Sequence, residues 1–182
     1  MTDINSLTIA DSVRDSLGKG QHPRLTVTSN SMAPLFWAND QVILEAVQPE
    51  QLHPGEIITL IDQTGLLTHR IWARRGHGFL TRGDHALNFD GICQADAVVG
   101  RVIGRIHKQH MLSFQDGLGR WLDGYLATLA RREQRWLTGS QEAPAGVDPV
   151  INTRTRFVHR LFFSWAIFIT MAINLATRVR LS

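Results

Sequence analysis

The 182-residue chain has one cysteine and two lysines. Cys93 alone cannot close a disulfide within the chain, which suits a reducing compartment. Lys19 and Lys108 leave few places for chemistry that needs a lysine base. The opening segment MTDINSLTIADSVRDSL holds three Asp, with neither a basic n-region nor an apolar h-region, so no N-terminal signal peptide is expected. No segment repeats. No long helical stretch separates the strand-like segments between Leu25 and Ile106, which argues against a doubly wound parallel sheet. The two dozen residues before that region have room for one helix and no helix-turn-helix, so a nucleic-acid partner is not expected.

Hydrophobic residues make up 43% of the chain and charged residues 19%, a composition that can bury a core. The net charge of +3 hides an asymmetry. Residues 1–110 carry ten Lys/Arg against eleven Asp/Glu, whereas residues 111–182 carry nine Arg against five Asp/Glu. The basic excess is therefore arginine and lies in the C-terminal part, which suggests an anionic partner for that part.

Residues 1–20 are predicted to hold a short helix. Ser6 is placed to cap it, Leu7, Ala10, Val13 and Leu17 recur at helical spacing, and Gly18 and Gly20 end it. From residue 21 to 110 the pattern is that of strands: LTVTS, QVILEAV, EIITLID, LLTHRIW, FLTRG and VVGRVIGRI, broken by Gly, Pro and Asn-Asp. The fold class expected is mainly β, with a short N-terminal helix and a helical C-terminal extension. Residues 111–137 read as an amphipathic helix in which Leu118, Leu122, Tyr125, Leu129 and Trp136 make an apolar stripe beside Arg131, Arg132 and Arg135. The Trp121/Trp136 stripe is expected to be core or helix contact. Residues 138–153 are a linker by composition.

Residues 154–182 form an apolar C-terminal helix. Its uncharged core, LFFSWAIFITMAINLA, runs from Leu161 to Ala176. Sixteen residues rise about 24 Å, short of the ~20 residues that cross a ~30 Å hydrocarbon layer. Three readings stay open: a buried or dimerising helix, a short or tilted membrane span, and a helix lying in the membrane interface. The protein is accordingly expected to be cytoplasmic or attached to a membrane surface through this helix.

The chemistry-bearing residues lie in the β region. Ser31, at the end of TVTSNS, is either a turn residue or a nucleophile, and a nucleophile needs a base. His69 sits in the apolar strand LLTHRIW, where an imidazole is either a satisfied core group or a base held dry. Downstream, TRGDHALNFDG supplies Asp84 and Asp90, which are either solvated turn residues or groups that orient the imidazole. His77, His85, His107 and His110 are spaced for neither a zinc site nor a second dyad, and no metal or cofactor is expected. Cys93 reads as a small packing residue.

In chain order these pieces are Ser31-Met32-Ala33-Pro34, Asn39-Asp40-Gln41-Val42, Pro54-Gly55-Glu56-Ile57-Ile58, Thr68-His69-Arg70, Gly83-Asp84, Asp90 and Gly100-Arg101-Val102. The series, over about Arg24 to Ile106, resembles the S24/S26 serine peptidases. It is closest to the signal peptidase I branch that uses serine and histidine, the archaeal and endoplasmic-reticulum type. The resemblance implies a signal-peptidase-like β core, shared with self-cleaving repressors, over residues 21–110. It implies a serine endopeptidase that processes a specific peptide or leader, with an extended peptide as its substrate. Ser31 would be the nucleophile and His69 the general base, in the slot that lysine fills elsewhere in the family. Asp90 is preferred over Asp84 as the third member, with Asp84 supporting the loop. The Ser31 N–H and the Ser29 hydroxyl would form the oxyanion hole, with Met32 and Pro34 pinning the nucleophile turn and completing the binding side. The alternative is a catalytically degenerate domain of the same family that binds peptide or regulates.

The chain departs from that family in three ways. The family's usual N-terminal anchor is replaced by a polar helix, Asn39 stands where glycine is usual, and Trp37 stands where a smaller or polar residue is common. Asparagine tolerates left-handed φ, so the second change is mild. The layout is closer to that of stand-alone bacterial members that accompany small modified peptides.

Overall fold

The computed structural model describes residues 4–62, 65–138 and 150–179. Helix α1 (Ile4–Gly18) starts upstream of Ser6, so that serine lies inside the helix and does not cap it. Ala10, Val13 and Leu17, spaced three and four apart, are buried and put one side of α1 against the sheet.

Eight strands follow among the described residues: β1 (Arg24–Thr26), β2 (Gln41–Glu45), β3 (Ile57–Asp62), β4 (Gly65–Arg75), β5 (Gly78–Arg82), β6 (Ile92–Gln94), β7 (Val98–His107) and β8 (His110–Ser113). They make one antiparallel sheet, ordered β1-β2-β7-β3-β4-β5-β6, curled into a half-barrel. The long strand β7 pairs with β2 along one side and with β3 and then β8 along the other. Bulges at Ile43/Leu44, Thr59/Leu60 and Ile71/Ala73 bend the strands where the sheet curls. Strand β8 runs past the boundary expected at residue 110.

Two long helices come after the sheet, α2 (Gly117–Thr138) and α3 (Thr153–Val179). The protein is therefore a mixed sheet-and-helix structure, and the expectation of a mainly β fold holds only for its middle. The linker expected over 138–153 lies mostly outside the described residues, at 139–149. In α2 the buried apolar side chains are Leu122, Leu126 and Ala130, while Trp121 and Trp136 are exposed, so of the core or helix-contact role expected of them the core part does not hold. Asn152 caps α3, its Oδ1 accepting the Thr155 N–H at 2.9 Å. Helix α3 lies along α2, joined by His159 to Glu133 (2.6 Å) and by Trp165 Nε1–H to the Tyr125 hydroxyl (2.5 Å).

The main core fills the space between sheet and helices. Met32, Leu35 and Phe36 from the Ser31 turn meet Val42, Leu44, Ile57 and Val102 from the strands, Leu122 and Leu126 from α2 and Ala166 from α3. Their removal from water, at ~25 cal/mol per Å², is the main term holding the Ser31 turn in place. Three arginines are also almost wholly buried: Arg70, Arg82 and Arg105.

Candidate active site

The turn that carries Ser31 is fixed from both ends. Ala33 N–H donates to Asn30 O at 3.0 Å, and Phe36 N–H to Met32 O at 3.1 Å. The Asn30 side chain accepts the Ala38 N–H at 2.9 Å, and Asp40 accepts the Trp37 N–H at 2.9 Å. Asn39 takes φ 75°, the conformation its short amide tolerates. Met32, Leu35 and Phe36 point into the core, which leaves Ser31 facing outward.

His69 lies in β4 opposite Ile58 of β3 and is only 5% exposed. Its Nε2 is 2.9 Å from Ser31 Oγ, and its Nδ1 is 2.5 Å from Asp90 Oδ2. The carboxylate accepts, so Nδ1 carries the hydrogen and Nε2 is left to accept from the serine hydroxyl. Ser31, His69 and Asp90 thus form one hydrogen-bonded line. Asp90 is held by two bonds to Thr81: its carboxylate accepts the Thr81 hydroxyl at 2.8 Å and its N–H donates to Thr81 O at 2.9 Å. Thr81 went unsuggested by the sequence, although its place two residues before Gly83 on β5 was a signal.

Gly83 is the second residue the sequence left unexplained. A Cβ there would sit 2.5 Å from Ser31 O and 2.9 Å from His69 Nε2. Any side chain would push Ser31 away from His69. The same loop donates the His85 N–H to Ser31 O at 2.8 Å.

Asp84 lies outside the line and takes a different role. Arg70 Nε and Nη2 donate to its two oxygens at 2.8 and 2.6 Å, and Arg70 Nη1 donates to Gly55 O and to Asp123 of α2, both at 2.7 Å. Burial alone would lower the Arg70 pKa, but Asp84 and Asp123 together raise it, so the guanidinium stays charged. The Asp84 N–H also reaches Met32 Sδ at 3.4 Å. Arg70 therefore ties β4, the Asp84–Asp90 loop and α2 into one unit. Asp123 escaped the sequence reading because it lies 53 residues from its partner.

Ser29 and Ser31 sit together, Oγ to Oγ 3.1 Å, with the Ser31 N–H 3.4 Å from Ser29 Oγ. Beside them runs a groove of about 550 Å³. Its lining includes Leu25, Val27, Met32, Phe36 and Val42, Leu66 to Thr68 of β4, and Ile9 of α1. Strand β1 and the Leu66–Thr68 part of β4 each pair on one side only among the described strands. Pro34 lies away from this groove, under α3 beside Phe162 and Phe163. Among the described residues no group of three or more His, Cys, Asp or Glu is gathered for a metal ion.

The arrangement places a hydroxyl, a base and an orienting carboxylate at the wall of an apolar groove. That is the minimum set for nucleophilic attack on an acyl carbon. No protein-family model matches the chain, and no curated protein matches it. The peptidase resemblance thus rests on the order and spacing of its residues.

Proposed function

We propose that the protein is a serine endopeptidase of the S24/S26 type, with a signal-peptidase-like β core, that cuts a specific peptide or leader. The observation that carries this reading is the line Ser31–His69–Asp90 opening on the groove. Ser31 Oγ attacks the scissile carbonyl while its proton passes to His69 Nε2. Asp90, accepting from Nδ1–H, holds the ring and stabilises the imidazolium. The proton then goes to the leaving amine as the C–N bond breaks. A water deprotonated by the same nitrogen hydrolyses the acyl-enzyme and releases Ser31. The Ser31 N–H and the Ser29 hydroxyl, now near each other, turn to the carbonyl oxygen as it gains charge.

The substrate lies extended between β1 and the start of β4, bonded to their open edges, with apolar side chains turned into the groove. The enzyme works on the cytoplasmic side or attached to a membrane, with α3 as the attachment. Helix α3 contains a stretch, Thr153–Thr177, long and apolar enough to cross a bilayer, and little of its apolar part is buried against the rest of the chain.

A fluorophosphonate probe tests the chemistry. It is expected to label the wild type at Ser31 and to leave Ser31→Ala unlabelled; labelling unchanged in the variant sinks the assignment. Cleavage of candidate peptides, read by mass, then locates the bond cut. If Ser31 stays unlabelled while peptides still bind, the groove belongs to a degenerate binding domain.

A further inference from the structure

Helix α3 has two unlike faces. One carries Thr155, Ala166 and Thr170 against the domain. The other exposes Phe157, Leu161, Trp165, Phe168, Met171 and Leu175, each at least half accessible. At about 100° per residue these six fall within about 120° of arc and extend over about 27 Å. Trp37, from the nucleophile turn, lines the same groove as Phe168, Met171 and Leu175 and extends the apolar face toward the active-site side. On the other flank, Trp165 bonds Tyr125, which stacks on the exposed Trp121 of α2 at 5.1 Å. A continuous apolar and aromatic strip of this size is unusual on a monomeric surface unless something covers it.

Charge says what covers it. Helices α2 and α3 run antiparallel, because Tyr125 meets Trp165 and Glu133 meets His159. The end of α2 therefore lies beside the start of α3, and Arg131, Arg132, Arg135, Arg154, Arg156 and Arg160 collect there, all exposed. None of the six forms an ion pair with a described carboxylate. The nearby Glu133 is buried and turned inward, toward His159 and Arg82. An apolar strip with aromatic flanks and a cluster of arginines is the chemistry of an anionic lipid surface.

The helix is also held in a way that opposes crossing a bilayer. Near its start His159 is bonded to Glu133, and near its end Asn174 accepts from the buried Arg105. These ties lie about 22 Å apart along the axis, most of the thickness of a ~30 Å hydrocarbon layer. A spanning α3 would either break both or carry Glu133 and Arg105 into hydrocarbon, which is costly for charged groups. A second copy fits less well than lipid. A parallel copy in register would set Arg154, Arg156 and Arg160 against themselves, like charge against like charge.

We propose that α3 stays docked on the catalytic domain and lies in the plane of an anionic membrane, its exposed face sunk among the acyl chains. This refines the membrane attachment given above and rests on it. It is independent of the peptidase chemistry, so it is tested on Ser31→Ala. The full-length protein is mixed with phosphatidylcholine vesicles with and without phosphatidylglycerol, and binding is read by co-sedimentation and tryptophan emission. Binding is expected to favour the anionic vesicles by about tenfold or more and to weaken with salt. Bound protein is expected to be released by alkaline carbonate. The double substitution Phe168→Ser with Leu175→Ser, on the exposed face, is expected to weaken binding at least about tenfold. Its melting temperature should stay unchanged. Failure to bind either vesicle overturns both the attachment and its geometry. Binding that resists carbonate keeps the attachment and overturns the in-plane arrangement. A lipid-free dimer that the double substitution dissolves assigns the face to a second copy and overturns the proposal.

Discussion

His69, His107 and His159 each lie against a carboxylate, at 2.5, 2.6 and 2.6 Å, yet they serve three different regions. His159 fastens α3 to Glu133 of α2. His107 fastens β7 to the buried Asp40, which also takes the Trp37 N–H and so closes the loop after Ser31. His69 alone has a hydroxyl on its second nitrogen and an apolar groove beside that hydroxyl. A histidine on a carboxylate is therefore common structural cement in this chain. The second partner and the empty space next to it are what mark the candidate site.

Removing that second partner is the strongest way to break the contrast. Ser31→Ala or His69→Ala is expected to lower cleavage by about 10⁴-fold or more, with folding intact by circular dichroism. Asp90→Asn keeps the shape but loses the acceptor for Nδ1–H, and a loss of about 10³- to 10⁴-fold in kcat is expected. Asp84→Asn is the matching control. It strips one carboxylate from a buried guanidinium, so the expected damage is to stability, about 3 kcal/mol by denaturant titration. If Asp84→Asn lowers kcat as much as Asp90→Asn does at full folding, the division of roles between the two aspartates is wrong. Gly83→Ala pushes Ser31 away from His69, and misplacement on that scale is expected to lower kcat by about 10²-fold while substrate binding holds.

The smaller end of the comparison belongs to the structural pairs. His107→Gln leaves Asp40 with the Trp37 N–H and removes one neighbour, so a stability loss of about 1–2 kcal/mol is expected. Activity should stay within about twofold of wild type, since the groove and the Ser31–His69 bond are untouched. A large loss of activity would make the loop behind Ser31 part of the site.

The sequence carried the site further than it carried the fold. Ser31, His69 and Asp90 were legible because a residue order resembling a family's stood in for geometry. Asp84 lies in the loop that the residue order points to, but its bond to Arg70 depends on how β4 and that loop pack, and the second acid on Arg70, Asp123, is 53 residues from it in the chain. The middle strands were legible from alternation and from Gly and Pro breaks. Strand β8 was not. Its hairpin turn is Lys108-Gln109, at φ 44° and 72°, where Asn-Gly or Asp-Gly would announce such a turn. The packing of α3 could not be read either. Its two faces are both largely apolar in sequence; the docked side is marked by the buried Thr155 and Thr170 and by His159 and Asn174, which bond Glu133 of α2 and Arg105 of β7.

The weakest expected effect joins the two regions. His85 sends its N–H to Ser31 O, while its ring stacks on Phe163 of α3 at 3.9 Å and faces the His159 ring at 5.3 Å. Burial, and then the neighbouring His159, lower its pKa, and a backbone bond to Asn30 and the charge of Glu133 oppose them only in part. The folded protein thus holds His85 neutral where the unfolded chain begins to take a proton, near the ordinary imidazole value of about 6.5. Above that value the group contributes nothing to pH dependence. As pH falls below it, the unfolded state binds more protons than the folded state, so stability is lost. His85→Phe keeps a ring on Phe163 and keeps the backbone bond to Ser31, but it cannot titrate. The drop in melting temperature between about pH 7.5 and about pH 5.5 is therefore expected to be smaller in His85→Phe than in wild type. An equal drop in both proteins would assign the acid sensitivity to other groups and leave the stack as packing alone.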